Sequence, residues 1–229
     1  MERESALHSA LKIQCAGIDG KIEAVVRCGG SGGCAKSYIC DGVTSAGEII
    51  EVQTGSFAPL KEKLQNLSRE YKIRVIHPIA LHKRIELFKE DGALIRVRKS
   101  PAAGCKWNLF KALVYGWEIA AMDNVCIELA FVDIAETRID DGLGSWRRKG
   151  VRVADRRLLA RHSSIVLREK ADYLQFAPFE PDERWTAADL ALRAGVRRPL
   201  AQKTVFVLTK LNAIARIGKQ GKAWVYSRA

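Results

Sequence analysis

The sequence contains no apolar run long enough to cross a membrane. A membrane-spanning helix needs about 20 mostly apolar residues, whereas the longest apolar stretch, around residues 112–122, is interrupted by Gly116 and Glu118. The N-terminal residues carry charges of both signs and no uninterrupted apolar core, so we expect no signal peptide. Six cysteines without an export signal predict reduced thiols and a cytoplasmic location.

Signatures of several cofactor and metal sites are also missing. Neither G-x-G-x-x-G nor G-x-x-x-x-G-K-[ST] is present, so no nucleotide cofactor is expected, and the four histidines form no H-E-x-x-H pattern. Cys28, Cys34 and Cys40 are spaced more widely than the close pairs that structural zinc prefers, which favours buried free thiols. His8 lies one helical turn from Glu4, so it either approaches a site there or is a half-buried helix histidine.

The charge of the chain is concentrated towards its C-terminus. The net charge is +12, and the segments 1–137, 138–180 and 181–229 contribute +1, +4 and +7. A localised basic surface favours a polyanionic partner, most simply nucleic acid. The alternative is that surface lysine and arginine serve only solubility. Hydrophobic residues make up 48% of the chain, enough for one large domain or two small ones.

Hydrophobic periodicity predicts a mixed α/β architecture in which helices pack on a mixed sheet. The first part follows the order helix, strand, strand, strand, helix, strand, at residues 4–12, 22–28, 34–43, 48–54, 57–71 and 73–80. The glycine run 29–33 is predicted to be the flexible hairpin loop between the first two strands. The later segments predict a hairpin with arms 84–89 and 93–98 that turns at Asp91-Gly92. A helix at 107–121, a strand at 125–137, a loop at 140–150 and a partly helical, ambiguous stretch at 151–173 follow.

From Trp185 onwards the pattern changes to two helices followed by a short hairpin. Thr186 is a suitable N-cap for a helix at 187–194, and Pro199 begins a second helix that runs to about residue 211. Short strands at 213–217 and 223–227 then flank a glycine- and lysine-rich turn. Over residues 183–229 this order resembles a winged helix-turn-helix domain, whose second helix enters the major groove of DNA.

This resemblance implies that basic and amide side chains of the C-terminal unit contact DNA. Arginine can pair with guanine and glutamine with adenine, while lysine more often meets phosphate. The predicted contacts are Arg197, Arg198, Gln202, Lys203, Lys219 and Lys222. The alternative is a winged helix used for protein contact or dimerisation. A basic tract beside Trp146, comprising Arg147, Arg148 and Lys149, is either a further DNA contact or a solvated surface.

Three carboxylates are predicted to converge in the N-terminal half. Asp41 lies near the end of the second predicted strand, and Glu4 lies on the first helix. Glu51 and Gln53 share one face of the third strand. Converging carboxylates repel one another unless a divalent cation neutralises them, and oxygen ligands suit Mg²⁺ or Mn²⁺. Alternatively, Glu51 and Gln53 line a solvent-facing side of the strand, and Glu4 is a helix N-terminal acid favoured by the dipole.

This arrangement over residues 1–80 resembles the restriction-endonuclease-like core of the PD-(D/E)XK nucleases. The resemblance rests on the α-β-β-β-α-β order, an acidic residue on the first helix, an Asp on the second strand and the tripeptide Glu51-Val52-Gln53. It implies that Asp41 and Glu51 hold the metal and that Glu4 is an additional ligand, directly or through water. Metal-bound water would then attack the phosphorus.

Two departures from the family pattern bear on activity. Cys40 stands where a proline commonly precedes the Asp, and Gln53 replaces the usual lysine. A glutamine side chain can orient water but carries no charge. In some nucleases of this superfamily the lysine comes from the following helix, where Lys61 and Lys63 are available.

The sequence therefore predicts a nuclease-like domain at 1–140, a basic connecting region at 141–180 and a winged helix-turn-helix at 181–229. The predicted function is Mg²⁺- or Mn²⁺-dependent hydrolysis of DNA phosphodiesters. Double-stranded DNA is the expected partner, and a homodimer is left open. The alternative is a non-catalytic DNA-binding or regulatory protein whose degenerate core serves oligomerisation or partner binding. The two differ in whether the four residues assigned to the site meet in space.

Overall fold

A computed structural model describes residues 4–29 and 35–229, and most of them surround a mixed sheet of seven strands. The strands are β1 (Lys21–Gly29), β2 (Ala35–Val43), β3 (Ile49–Val52), β4 (Ile73–Lys89), β5 (Leu94–Lys99), β6 (Val125–Asp140) and β7 (Val151–Leu167). Their order across the sheet is β1-β2-β3-β4-β6-β7, and β5 pairs with β4. The pairs β3–β4 and β4–β6 are parallel, and the others are antiparallel.

Helices cover both faces of the sheet because its central strands are buried on both sides. The helices of this part are α1 (Ala6–Ala16), α2 (Lys61–Leu67) and α3 (Leu109–Leu113). Leu7 and Leu11 of α1 pack with Ile50 and Ile76 on one face. On the other face α2 and α3 bury a larger cluster that includes Ile49. The expected mixed α/β architecture is confirmed.

The strands β4, β6 and β7 extend together well beyond β1, β2 and β3. β4 and β6 stay in parallel register from the pair Ile73–Val125 to the pair Lys89–Asp140, with an irregularity between Ala80 and His82. At the far end β4 turns into β5 through the predicted Asp91-Gly92 turn, where Gly92 adopts a φ of +86° that favours glycine. α1 reaches this extension at its N-terminus, where Ala6 N donates to Asp155 Oδ1 of β7 at 3.0 Å.

The C-terminal residues form a second, three-stranded antiparallel sheet with two helices. In chain order these elements are β8 (Trp185–Thr186), α4 (Ala187–Arg193), α5 (Arg198–Lys210), β9 (Ile214–Gln220) and β10 (Ala223–Arg228). The sheet order is β8-β10-β9. The predicted cap of α4 is confirmed, since the Thr186 hydroxyl accepts from Ala188 N and Asp189 N, and the Asp189 carboxylate accepts from Thr186 N.

The largest error of the sequence analysis concerns residues 151–173, which were expected to be partly helical. Most of this stretch is the strand β7, followed by a 3₁₀ segment at Lys170–Phe176. Its arginines hide the strand alternation because some point inwards: Arg161 pairs with Glu128 at 2.6 Å and Arg156 with Glu136 at 3.1 Å. Both glutamates are buried on the neighbouring strand β6. Burial alone would raise the pKa of Glu136. The hydrogen bonds from its arginine partners outweigh burial and lower the pKa to about 2.

Several element boundaries also differ from the prediction. The first helix begins at Ala6, so Glu4 precedes it, and β3 ends at Val52, so Gln53 follows it. The predicted strand 73–80 and hairpin arm 84–89 are one continuous strand. The predicted helices 57–71 and 107–121 are shorter α-helices flanked by 3₁₀ turns. The predicted glycine hairpin at 29–33 and the start of the second strand at Cys34 lie largely outside the described residues.

Within the described ranges, no helix combines the length and the apolar character that a membrane crossing requires.

Candidate active site

Asp41 lies where β2 and β3 separate. The two strands pair only at Gly42–Ile50 and Val43–Ile49, and one further step along this register leads to Asp41 and Glu51. Beyond these pairs the backbone hydrogen bonds between the two strands end. Val52 N instead donates to the Asp41 side chain, at Oδ2, over 2.7 Å. The separation of the strands thus exposes one carboxylate at the edge of the sheet and places the other next to it.

His8 of α1 holds the other side of the Asp41 carboxylate. Its Nε2 lies 2.9 Å from Asp41 Oδ2, and the hydrogen bond raises the pKa of His8 although burial opposes it. Burial raises the pKa of Asp41, but the bonds from His8 and Val52 N outweigh it, so the net pKa of Asp41 is lowered. Asp41 is therefore ionised at neutral pH.

Glu51 is only 3% exposed and faces Lys63 of α2. Lys63 Nζ lies 2.5 Å from Glu51 Oε1 and also donates to Ile39 O at 2.6 Å. Burial and the nearby charge of Asp41 raise the pKa of Glu51, and Lys63 opposes them. The site thus contains a buried carboxylate that is paired with the Lys63 ammonium.

Lys63 is the cation of this site. Its positive charge lowers the pKa of both Asp41 and Glu51, so the ammonium acts on both carboxylates. The neighbouring Lys61 points elsewhere and pairs with Glu118 at 2.6 Å. The two candidate lysines of the sequence analysis are therefore resolved by the structure: Lys63 lies at the site and Lys61 does not.

Cys40 is fully buried beside the two carboxylates. Burial raises the pKa of its thiol to about 12, and Glu51 contributes in the same direction. The thiol is therefore neutral at physiological pH.

Gln53 borders the site from the turn after β3. Its side-chain amide donates to Ser56 O, and its carbonyl accepts a hydrogen bond of 2.6 Å from His77 Nδ1. His77 is 6% exposed, and burial lowers its pKa, so the ring is neutral. His77, Ser56 and Lys111 line a cleft of about 480 Å³ that opens beside this turn.

Glu4 reaches the edge of the site but is engaged elsewhere. Its carboxylate lies 3.0 Å from Lys12 Nζ, whereas its nearest distance to His8 Nε2 is 3.9 Å. Lys12 is buried and also pairs with Glu23 at 3.0 Å. The predicted role of Glu4 as a third acidic ligand thus competes with an ion pair to Lys12.

The donor set fits a cation bound by two carboxylates better than one bound by three. Among residues 4–29 and 35–229, no group of three or more His, Cys, Asp or Glu side chains is arranged to hold a metal ion. Mg²⁺ commonly binds through one or two carboxylates and completes its shell with water and substrate phosphate. Asp41 and Glu51 offer such a pair, and Lys63 Nζ holds Glu51 Oε1 at 2.5 Å.

The predicted DNA contacts of the C-terminal unit lie mostly on its surface. Exposed side chains at the start of α5 and on the β9–β10 turn are Arg197, Arg198, Gln202, Lys219 and Lys222, while Lys203 is half-buried. Lys219 Nζ lies 4.5 Å from the Trp224 ring centroid, and the Arg216 guanidinium lies 5.1 Å from it. Arg216 and Trp224 lie on the same hairpin and were not among the predicted contacts.

The predicted basic tract at Arg147, Arg148 and Lys149 forms a short 3₁₀ turn between β6 and β7. Trp146, at its start, is 83% exposed, and the Arg147 guanidinium lies 5.4 Å from its ring centroid. Lys149 closes the turn with a φ of 52°. The tract is therefore an exposed surface that immediately precedes β7.

Comparison with known proteins relates the chain to sequences without an assigned activity. Residues 5–168 match a family described as "Domain of unknown function (DUF8091)". A relative from Treponema pallidum (strain Nichols), described as "Uncharacterized protein", is 29% identical over 189 residues, which cover 82% of this chain and 72% of the relative. No solved structure matches the chain.

Proposed function

The chain belongs to the DUF8091 family, and from the geometry of its site we propose that it is a metal-dependent nuclease that hydrolyses DNA phosphodiesters. The observation that carries this proposal is the juxtaposition of Asp41, the buried Glu51 and Lys63 at the point where β2 and β3 separate. Burying an ion pair costs desolvation free energy, and buried ionisable groups with shifted pKa values cluster at functional sites.

The order of elements supports a PD-(D/E)XK-like core. α1, β1, β2, β3, α2 and β4 follow the order that the resemblance requires, with Asp41 on β2 and Glu51 on β3. Lys63 on the helix after β3 corresponds to the members of this superfamily that take their lysine from that helix. Lys63 would supply the positive charge that is missing because Gln53 stands where the family usually has lysine.

Asp41 and Glu51 would hold Mg²⁺ or Mn²⁺, which supplies polarisation of the phosphate and an activated water. His8 and Val52 N keep Asp41 ionised and fix its orientation. Lys63 would contact a non-bridging phosphate oxygen and stabilise charge that develops there. Gln53, next to the cleft, would orient the attacking water.

The C-terminal unit supports DNA as the substrate. In our proposal β8, α4, α5 and the β9–β10 hairpin form a winged helix-turn-helix spanning 181–229, and residues 141–180 connect it to a nuclease domain at 1–140. The exposed stripe Arg198, Gln202 and Phe206 on α5 is the face that would enter the major groove. Lys219 and Lys222 on the wing would contact the backbone of a DNA duplex.

The rival proposal is a non-catalytic DNA-binding or regulatory protein with a degenerate core that serves oligomerisation or partner binding. The pairing of Glu4 with Lys12, which removes one carboxylate from the constellation, favours it. A cleavage assay separates the two proposals. The full chain is incubated with duplex, branched and single-stranded DNA and with RNA, in Mg²⁺, in Mn²⁺ and in a chelator.

We expect cleavage of at least one DNA form with a metal ion and none with the chelator. An Asp41→Asn preparation serves as the control for contaminating nucleases, because it keeps the size of the side chain and removes its charge. Absence of metal-dependent cleavage on every substrate, or equal cleavage by Asp41→Asn, would reject the nuclease proposal.

A further inference from the structure

Five arginines line one depression on the sheet extension, far from the C-terminal unit in the chain. The depression has a volume of about 240 Å³, and its floor is formed by Ile85 and Leu87 of β4 and by Val151. Its walls are Arg96, Arg98, Arg138, Arg147 and Arg148. Arg96 and Arg98 belong to β5, which the sequence analysis treated only as a hairpin arm.

Strand pairing explains how these arginines come together. Arg96 lies opposite Leu87, Arg98 lies opposite Ile85, and Leu87 lies beside Arg138. Directly paired residues present their side chains on the same face of a sheet. The turn that carries Arg147 and Arg148 closes the depression from the side of β7.

The positive charge of the depression is scarcely compensated. Arg138 pairs with Glu136 at 2.6 Å. For the other four guanidinium groups, no carboxylate in the described part of the chain lies within the 4.0 Å of an ion pair. Guanidinium groups gathered on one face repel one another, and they form bidentate bonds to phosphate when an anion is present.

The position of the depression relates it to the candidate active site. β3 and β5 pair with the same edge of β4, β3 at Ile73–Ile76 and β5 at Arg84–Phe88. At about 3.3 Å per residue, the segment from Ile76 to Arg84 spans roughly 26 Å. Alternation along β6 places Arg138 on the face of Ile134, which packs beneath α1, the helix whose His8 contacts Asp41. The Glu51 side chain faces α2 on the other side of the sheet.

We propose that this arginine depression binds backbone phosphates of the nucleic acid whose scissile bond lies at Asp41 and Glu51. The site is a second DNA contact, separate from the C-terminal unit. Successive phosphates of one DNA strand are about 3.4 Å apart along the helix axis, so a distance of roughly 26 Å corresponds to roughly eight phosphates. The position of the depression relative to the scissile bond rests on the proposed function. Binding of DNA phosphates at the depression does not require cleavage.

The test measures DNA binding by the full chain in chelator, where no hydrolysis occurs. The double variant Arg96→Ala/Arg98→Ala is compared with Arg69→Ala/Lys72→Ala, which removes the same charge from exposed positions before β4. Binding of a labelled duplex is followed by fluorescence anisotropy over a series of salt concentrations. Because Arg96 and Arg98 are exposed, both variants should fold, and circular dichroism checks this.

We expect Arg96→Ala/Arg98→Ala, called the β5 variant, to weaken duplex binding roughly tenfold. The slope of log K against log salt should fall by about 1.8, since two phosphate contacts are lost. The control should change affinity by less than about twofold. Arg147→Ala/Arg148→Ala, on the opposite wall, should act like the β5 variant and provides the same test if that variant fails to fold.

A competition arm distinguishes the source of the phosphate. Inorganic triphosphate should displace DNA only weakly, because it occupies few of the contacts. Equal effects of the β5 variant and the control, or unchanged binding in both arginine variants, would overturn the proposal. It would equally be overturned if triphosphate bound tightly at the depression while DNA affinity did not depend on Arg96 and Arg98. A wild-type protein that binds DNA tightly but cleaves nothing rejects the nuclease proposal alone.

Discussion

At the scale of single residues, two neighbouring lysines on α2 have different surroundings. Lys63 contacts a carboxylate that is almost fully buried, whereas Lys61 pairs with Glu118, and both members of that second pair are partly exposed. An exposed ion pair contributes little to stability, but removing one partner of a buried pair leaves an uncompensated charge. The pair of lysines is therefore a matched test of the site.

We expect Lys63→Ala to reduce cleavage by at least about a hundredfold, because it removes the cation beside the reacting phosphate. Lys61→Ala should retain cleavage within about threefold of the wild type, since an exposed ion pair contributes less than about 1 kcal/mol. The measurement is the single-turnover cleavage rate with Mg²⁺. Similar losses in both variants would exclude a specific role for Lys63.

The carboxylates themselves separate chemistry from binding. Asp41→Asn and Glu51→Gln keep the size of each side chain and remove the negative charge that a divalent cation requires. We expect each to abolish cleavage while DNA binding stays intact or becomes slightly tighter, because a carboxylate no longer repels phosphate. Cleavage rates and binding affinities at one salt concentration check this. If Asp41→Asn lost binding and cleavage in parallel, its role would be structural.

His8 predicts a dependence of stability on pH. Its pKa is raised in the folded protein by Asp41 and Glu4, with Lys12 and burial opposing them. A raised pKa stabilises the fold below the unfolded value of 6.5, and this contribution is lost as the pH rises through the folded pKa. Asp41, whose pKa is lowered, is ionised throughout this range.

The wild type should therefore lose stability relative to His8→Asn between about pH 6 and pH 8, by about 1 kcal/mol at most. Urea unfolding of both proteins at the two pH values measures the difference, and other titrating groups cancel in the comparison. A constant difference between the two proteins would show that His8 does not titrate against Asp41 in the folded state.

At the scale of elements, local capping and long-range strand pairing contribute differently to predictability. The capping box of α4 is encoded within four residues, at Thr186 and Asp189. β7 is held by its ladder to β6 and by inward-pointing arginines whose glutamate partners are distant in sequence. Local rules therefore identified the helix start, whereas the strand required knowledge of its neighbour.

The cap predicts a stability effect. Thr186→Ala removes the hydroxyl that accepts from two backbone N–H groups of α4, so the free energy of unfolding should fall by about 1 kcal/mol. Thr186→Ser keeps the acceptor and should restore most of this loss. Chemical denaturation of the three proteins checks both values. An unaffected alanine variant would mean that water replaces the hydroxyl at the helix end.

At the scale of the whole molecule, the C-terminal unit and the seven-stranded sheet share buried surface. One cluster contains Phe110 and Phe176 together with Trp185, Leu200 and Leu208, and Phe110 and Phe176 stack edge to face. Deleting residues 181–229 would uncover this surface as well as remove charge. Charge reversal in the intact chain is therefore the cleaner test of the DNA contact.

We expect the variant Arg197→Glu/Arg198→Glu/Lys219→Glu/Lys222→Glu to weaken duplex binding strongly and to flatten its salt dependence. Each phosphate contact that is lost reduces the slope of log K against log salt by about 0.9. The unfolding midpoint should stay close to that of the wild type, since these side chains are exposed. Unchanged DNA affinity in a folded variant would assign the main DNA contact to another surface.

Much of this protein was determined by local sequence alone. Periodicity and capping signals predicted the order of the first six elements, the Asp91-Gly92 turn and the two C-terminal helices, because these depend on residues a few positions apart. The predicted strands indicated Asp41 and Glu51 as converging carboxylates, and the resemblance to the PD-(D/E)XK core implied Lys61 or Lys63. Charge partition along the chain predicted a basic C-terminal unit.

Only the tertiary structure decided which of these residues act together. Three features of the site depend on contacts between side chains that are distant in the chain or on separate elements. Lys63, and not Lys61, contacts Glu51. His8 is hydrogen-bonded to Asp41, and Glu4 pairs with Lys12. The arginine depression likewise joins β5 to a turn about 50 residues later in the chain. Spacing along the sequence does not predict such contacts, because the sheet that brings these elements together is built from pairings between distant strands.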